Sequence, residues 1–188
     1  MRLSSPRIAP LDPGQLTPEQ AAALAPVTRE GATPLNIFLT MAHAPEALAR
    51  FLGWGNYVLS KKNDLDPRQR ELAILRTGFN CGSGYEFAQH TAIGLRSGIA
   101  QDEIEALKQG PGAYQWSALE HAILVACDEL HHDHFISDHT WTALAELGDK
   151  GRMDLVFTVG QYTQVSMMLN SFGVQLESGE PDPELDRR

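Results

Sequence analysis

The chain has 188 residues, 43% hydrophobic and 21% charged, ordinary globular usage that excludes collagen-like, low-complexity and disordered chains. At this length one domain can bury about 70% of the surface its unfolded form exposes, so neither metal nor disulfide staples are needed. Lys and Arg total 15 against 24 Asp and Glu, a formal net charge of -9 with no basic cluster, which excludes a nucleic-acid footprint.

Six prolines, Pro6, Pro10, Pro13, Pro18, Pro26 and Pro34, fall in residues 1–34 and predict an irregular N-terminal arm. One short helix is expected within it, where Thr17-Pro18-Glu19-Gln20 forms a capping box with Pro in the first turn. From Leu35 apolar residues recur at spacings of three and four, so residues 35–178 read as an all-α domain. Asp66-Pro67-Arg68-Gln69 opens a helix whose stripe is Leu72, Leu75, Arg76 and Phe79. A second helix runs from Ser83 to Ser97 and closes at Gly98; a short one from Asp102 to Lys108 closes at Gly110. Ser117-Ala118-Leu119-Glu120 caps a helix through Ile123, Leu124, Ala126, Cys127 and Leu130. The last long helix is expected from Asp154 to about Gln175. No charge lies between Leu155 and Leu176, yet Gln161, Gln164, Asn170, Ser171 and Gln175 are too polar for a membrane span. Such a helix is buried or faces a second subunit. The tail, residues 179–188, is expected to be flexible.

Reactive side chains concentrate in the two helices that follow Asp66. Glu86 and His90 are four apart and share a helix face, where a carboxylate can fix the imidazole tautomer and raise its basicity for acid–base work. Glu71 and Arg76 stand beside or within an apolar stripe and so need a partner or a pocket. They fit a structural ion pair between helices as well as a functional pair. His131, His132, His134 and His139 crowd one helix end with Asp133 and Asp138, but their spacing matches no tight ligand motif, and no metal is expected. Cys81 precedes the His90 helix, as a reactive thiol or a small buried residue; Cys127 lies on an apolar stripe. Two cysteines are too few for a secreted disulfide framework, and Met1-Arg2 is followed by polar, Pro-studded sequence, so a cytoplasmic protein with reduced thiols is expected.

Arg70-Glu71-Leu72-Ala73-Ile74-Leu75-Arg76, Tyr85-Glu86-Phe87-Ala88-Gln89-His90 and Gly98-Ile99 together resemble the core motif of the carboxymuconolactone decarboxylase family, of the alkylhydroperoxidase D-like fold. Leu35-Asn36-Ile37-Phe38, Asp128-Glu129-Leu130-His131 and Gly160-Gln161-Tyr162 resemble its longer bacterial members, extending the similarity from about Leu35 to Leu176. In the peroxidase branch a Glu, a C-x-x-C pair and a His form a thiol-based relay. Here the Glu and His fall on Glu71 and His90, while Ser83 and Glu86 occupy the cysteine positions, which argues against disulfide cycling. The resemblance instead implies a cofactor-free decarboxylase or related carbon–carbon lyase acting on a small lactone or unsaturated carboxylic acid. It gives His90 as proton donor or acceptor, Glu86 as its orienting partner and Glu71 as a second acid–base group. Arg76 or a backbone amide would attract the anion, and Tyr85, Ser83 and Cys81 would line the pocket. A thiol-linked peroxidase or a non-catalytic member of the fold is the alternative. The partners expected are a small-molecule substrate and further copies of the chain, as a homotrimer or homohexamer, with no nucleic acid and no membrane.

Overall fold

The caps written in the sequence form as hydrogen bonds in a computed structural model, which describes residues 3–29, 31–178 and 183–186. α1 (Pro18–Leu24) begins at Thr17, whose Oγ1 accepts from Gln20 N and whose N–H donates to Gln20 Oε1. α2 (Asn36–Met41) leads into α3 (Pro45–Val58), where Pro45 takes the first-turn position that a proline fits without losing a hydrogen bond. The Asp66–Gln69 box opens α4 (Pro67–Asn80) at 2.8 and 3.2 Å. α5 (Gly84–Arg96) and α6 (Gln101–Gln109) follow, and the Ser117–Glu120 box opens α7 (Ala118–His132). α8 (Asp138–Ala143), α9 (Gly148–Phe172) and the single turn α10 (Pro183–Asp186) complete the chain. All regular elements among the described residues are helical, and the all-α expectation holds.

α4 is the central helix: it packs against α5, α6, α7 and α9, and every residue from Glu71 to Phe79 is buried. Leu72, Ala73, Ile74 and Leu75 are fully enclosed, each leucine or isoleucine contributing about 1.5–3 kcal/mol of apolar transfer. A helix surrounded on all sides carries its polar residues inward, so Glu71 and Arg76 must be satisfied internally.

α9 departs from the expected limits. It starts at Gly148, six residues before Asp154, and ends at Phe172 rather than near Gln175. Its stop is Gly173, with φ 71° and an N–H bonded to Leu169 O at 3.0 Å, a left-handed cap natural to glycine. A Cβ there would lie 2.9 Å from Ser5 O, because the N-terminal arm crosses this end: Arg7 N and Ile8 N donate to Phe172 O. The arm is irregular as expected, and Leu11, Leu16, Leu24 and Val27 in it pack with Leu39, Leu48 and Leu52 of α2 and α3. Of the tail, residues 179–182 and 187–188 lie outside the described residues, while Leu185 of α10 is buried beside Leu107 and Phe87.

Near its start α9 is pinned by Asp154, fully buried and accepting from Tyr57 Oη (2.7 Å), Asp64 N (2.8 Å) and Lys150 Nζ (2.6 Å). Burial alone would raise the pKa of this carboxyl, but the Lys150 ammonium and the two other donors hold it below the usual range. Arg68 similarly joins α4 to α6 and α7 through Glu103 (2.6 Å) and Glu120 (2.7 Å).

Candidate active site

α4 and α5 run side by side and bring Glu71 and His90, 19 residues apart, into contact: His90 Nδ1 lies 2.6 Å from Glu71 Oε2. On the other edge of the ring, Nε2 is 2.9 Å from Glu86 Oε1, one helical turn back on α5. The second approach is a charge contact, since Glu86 Oε1 has no hydrogen-bond partner in the protein. All three side chains are buried, with residue exposures of 1% for Glu71, 4% for Glu86 and 7% for His90. Burial favours a neutral imidazole, but Glu86 and Glu71 outweigh it and raise the His90 pKa to about 10. At neutral pH the group is an imidazolium between two carboxylates. The Tyr162 ring from α9 meets it edge-on at 4.9 Å.

Glu86 and His90 form part of the wall of a cavity of about 240 Å³. The rest of the wall is mostly apolar: Ile37 and Phe38 of α2, Phe51 and Leu52 of α3, Val165 of α9, and Val27 reaching in from the arm. Gln161 contributes a buried Oε1 with no hydrogen-bond partner. Tyr162 keeps its phenol protonated far above neutrality, first through burial and then through Glu86 and Glu71, with Arg70 pulling the other way. Tyr85 also faces the cavity, and its hydroxyl donates to Glu177 Oε1 at 2.7 Å. Glu177 also accepts from Asn36 N and Gln89 Nε2, so one carboxylate from beyond α9 fixes both α2 and α5 at the cavity.

Among the residues expected at the site, His90, Glu86, Glu71 and Tyr85 come together, and three others lie off the cavity wall. Arg76 is the main correction. Its guanidinium forks onto Asp128 of α7 at 2.6 and 2.8 Å and donates to Leu107 O, a bidentate pairing that commits its charge and three of its five N–H donors. It pairs neither with Glu71 nor with anything in the cavity. Ser83 is fully buried before α5 with its Oγ unpartnered. Cys81 is half-buried, with Sγ 3.9 Å from His131 Nδ1. Cys127 is enclosed, and burial first, then Asp128, pushes its thiol up to about 12. Among the described residues no three His, Cys, Asp or Glu side chains gather as a metal-binding group; of the histidines from His131 to His139, the rings of His131 and His132 meet edge-on at 4.9 Å. Sequence reasoning missed Gln161 and Tyr162 as site residues, along with Ile37, Phe38, Phe51 and Glu177.

Residues 45–128 match the model of the Carboxymuconolactone decarboxylase family. That segment, under half of the chain, is what resembles the family. It contains Glu71, Glu86 and His90, whereas the walls from α2 and α9 lie outside it. Solved structures share the fold over nearly the whole chain. An uncharacterised peroxidase-related protein from Ralstonia eutropha JMP134, described as an alkylhydroperoxidase AhpD core, aligns with TM-score 0.76 and 18% identity over 95% of each chain. A peroxidase-related protein from Silicibacter sp. TM1040 gives 0.75 and 16%, covering 98% of this chain and 93% of that one. A variant of the debrominase Bmp8, in complex with 2,3,4-tribromopyrrole, gives 0.74 and 15%, covering 93% and 94%. At these identities the likeness establishes the AhpD-like fold. No curated protein sequence matches the chain.

Proposed function

We propose that this protein is a cofactor-free acid–base enzyme, a carbon–carbon lyase whose small carbonyl substrate sits in the cavity against Glu86 and His90. The observation that carries this reading is the buried Glu71–His90–Glu86 row, with Glu86 and His90 both on the cavity wall. Glu71, bonded to Nδ1 and away from the cavity, is the orienting partner; Glu86 faces the substrate and is the proton acceptor. These roles exchange those the motif implied for the two carboxylates. In the lyase step the bond between the departing carbon and the substrate breaks, its electron pair enters the conjugated carbonyl to give an enolate, and the His90 imidazolium protonates the enolate. When the departing carbon carries a hydroxyl, Glu86 takes the hydroxyl proton as the bond breaks, the departing group leaves as a neutral carbonyl compound, and solvent returns the proton from Glu86 to His90 before the next turnover. A donor whose pKa is about 10 remains charged at neutral pH, and its neutralisation is driven by the enolate that forms beside it.

The test is a screen of small neutral lactones and hydroxy-carbonyl compounds for carbon–carbon cleavage or ultraviolet change, repeated with Glu86→Gln and His90→Gln. Either substitution should lower turnover by about 10²–10⁴-fold while helix content is retained; undiminished turnover in both refutes the reading. The thiol-linked alternative draws support only from the Cys81–His131 approach and the peroxidase-related neighbours. Peroxide-coupled oxidation of Cys81 during turnover would favour it instead. Self-association belongs to the same proposal: α9 shows Met153 and Met167 at 52% and 63% exposure, with exposed Gly160 midway between them.

A further inference from the structure

We infer that the cavity selects a neutral, single-ring molecule bearing a hydroxyl or N–H donor and discriminates against free carboxylates. The inference concerns the same site as the acid–base reading and rests on it for the claim that the cavity is where substrate binds. Three independent features of the walls carry it.

The first is charge. Among the described residues the only cation on the wall is His90, and it already stands between two carboxylates, one of which, Glu86, is itself on the wall. Among the described residues no Lys or Arg lines the cavity, and the guanidinium that the motif offered for an anion, Arg76, is committed to Asp128. A carboxylate entering here would lose its hydration and meet a row of net negative charge, with the neutral donors of Asn56, Gln161 and Tyr162 but no free cation to replace what it lost.

The second is the sense of the unsatisfied hydrogen bonds. Gln161 Oε1 is a buried acceptor without a hydrogen-bond partner, and Glu86 Oε1 makes no well-aligned hydrogen bond although His90 Nε2 stands 2.9 Å away; each residue is 4% exposed. Buried acceptors call for donors, and a hydroxyl or N–H supplies one where a carboxylate or a bare hydrocarbon does not. The Tyr85 hydroxyl cannot fill this role, because it already donates to Glu177.

The third is size and surface. An apolar cavity of about 150 Å³ holds benzene, so the 240 Å³ found here admits one substituted ring of about ten non-hydrogen atoms. Phe38, Phe51 and Tyr162 provide its aromatic walls.

The test is isothermal titration of the full chain at pH 7 with three matched probes: 4-methylphenol, 4-methylanisole, in which the donor is methylated, and 4-methylbenzoate, which is anionic. The phenol should bind about tenfold or more tighter than either of the others, the margin expected of a hydrogen bond to a charged acceptor. Val165→Trp, or, should that fail to fold, Ile93→Trp on the α5 part of the wall, should abolish that binding by filling the cavity. Equal affinity for phenol and anisole, tighter binding of the benzoate, phenol binding that survives a folded blocking variant, or no binding of any probe at millimolar concentration each overturns the inference. Failure here is separable from failure of the proposed function. Benzoate preference alongside turnover that depends on Glu86 and His90 removes only the donor-ligand claim; phenol preference with turnover indifferent to both removes only the acid–base claim.

Discussion

His90 carries two loads that a pH titration separates. Its folded pKa, about 10, lies above the 6.5 of an ordinary imidazole because two carboxylates overcome its burial. A raised pKa means that the folded state holds the proton more tightly than the unfolded chain. The stabilisation is therefore complete below pH 6.5 and is lost as pH rises through 10. Denaturant midpoints of the wild type should fall across that window, and His90→Gln should flatten this slope. Asp154 works in the opposite sense. Its pKa is depressed from 3.8, so its contribution is present above that value and disappears as the solution is acidified below it. Replacing Asp154 by Ala strands three donors and should cost about 2–3 kcal/mol at pH 7, or roughly 4–10 °C in thermal midpoint, with the deficit shrinking in acid. The i,i+4 relation of Glu86 to His90 was legible in the sequence because helical spacing alone fixes it. The direction of Arg76 was not: periodicity puts it on the buried stripe, but Asp128, 52 residues on, is a neighbour that only α7 packing supplies.

At the scale of the elements, capping chemistry marked the starts of α1, α4 and α7, since a side chain three residues away completes each box. The beginning of α9 carried no such mark: no side chain caps Leu147 and two glycines stand in the first turn, so its start passes for loop. The cavity walls were illegible for a related reason. Ile37, Phe38, Phe51 and Val165 are apolar residues on apolar faces, and nothing local distinguishes a core contact from a ligand contact. Gly55 of α3 is the exception worth testing. It lines the cavity, and a Cβ there would sit 3.7 Å from Gln161 Nε2, an ordinary contact. Gly55→Ala should raise stability by about 0.5–1 kcal/mol through helix propensity. It should also weaken binding of the phenol probe by narrowing the cavity, measured by chemical denaturation and calorimetry on the same sample. A loss of stability would show that the site tolerates no methyl.

For the whole molecule, the family-matching segment carries the reactive row, and the chain on either side of it closes the cavity: Val27, Ile37 and Phe38 from before, Gln161, Tyr162 and Val165 from after. The acid–base pair is thus embedded in a segment shared with the family, while ligand shape is set by flanking segments free to differ. The exposed stripe of α9 around Gly160 gives the proposed subunit contact. Light scattering should report an oligomer, and Gly160→Glu should shift it toward monomer; a monomeric wild type contradicts that part of the account. The described residues contain no helix long and apolar enough to cross a membrane, in keeping with the polar interruptions read in the last long stretch.

The most direct test of the central claim observes the ring itself. Nitrogen-15 NMR of the His90 side chain, assigned by its disappearance in His90→Gln, should show both ring nitrogens protonated at pH 7.5 and a titration centred near pH 10. A neutral ring with one protonated nitrogen at pH 7.5, or a titration near 6.5, would contradict an imidazolium held between Glu71 and Glu86.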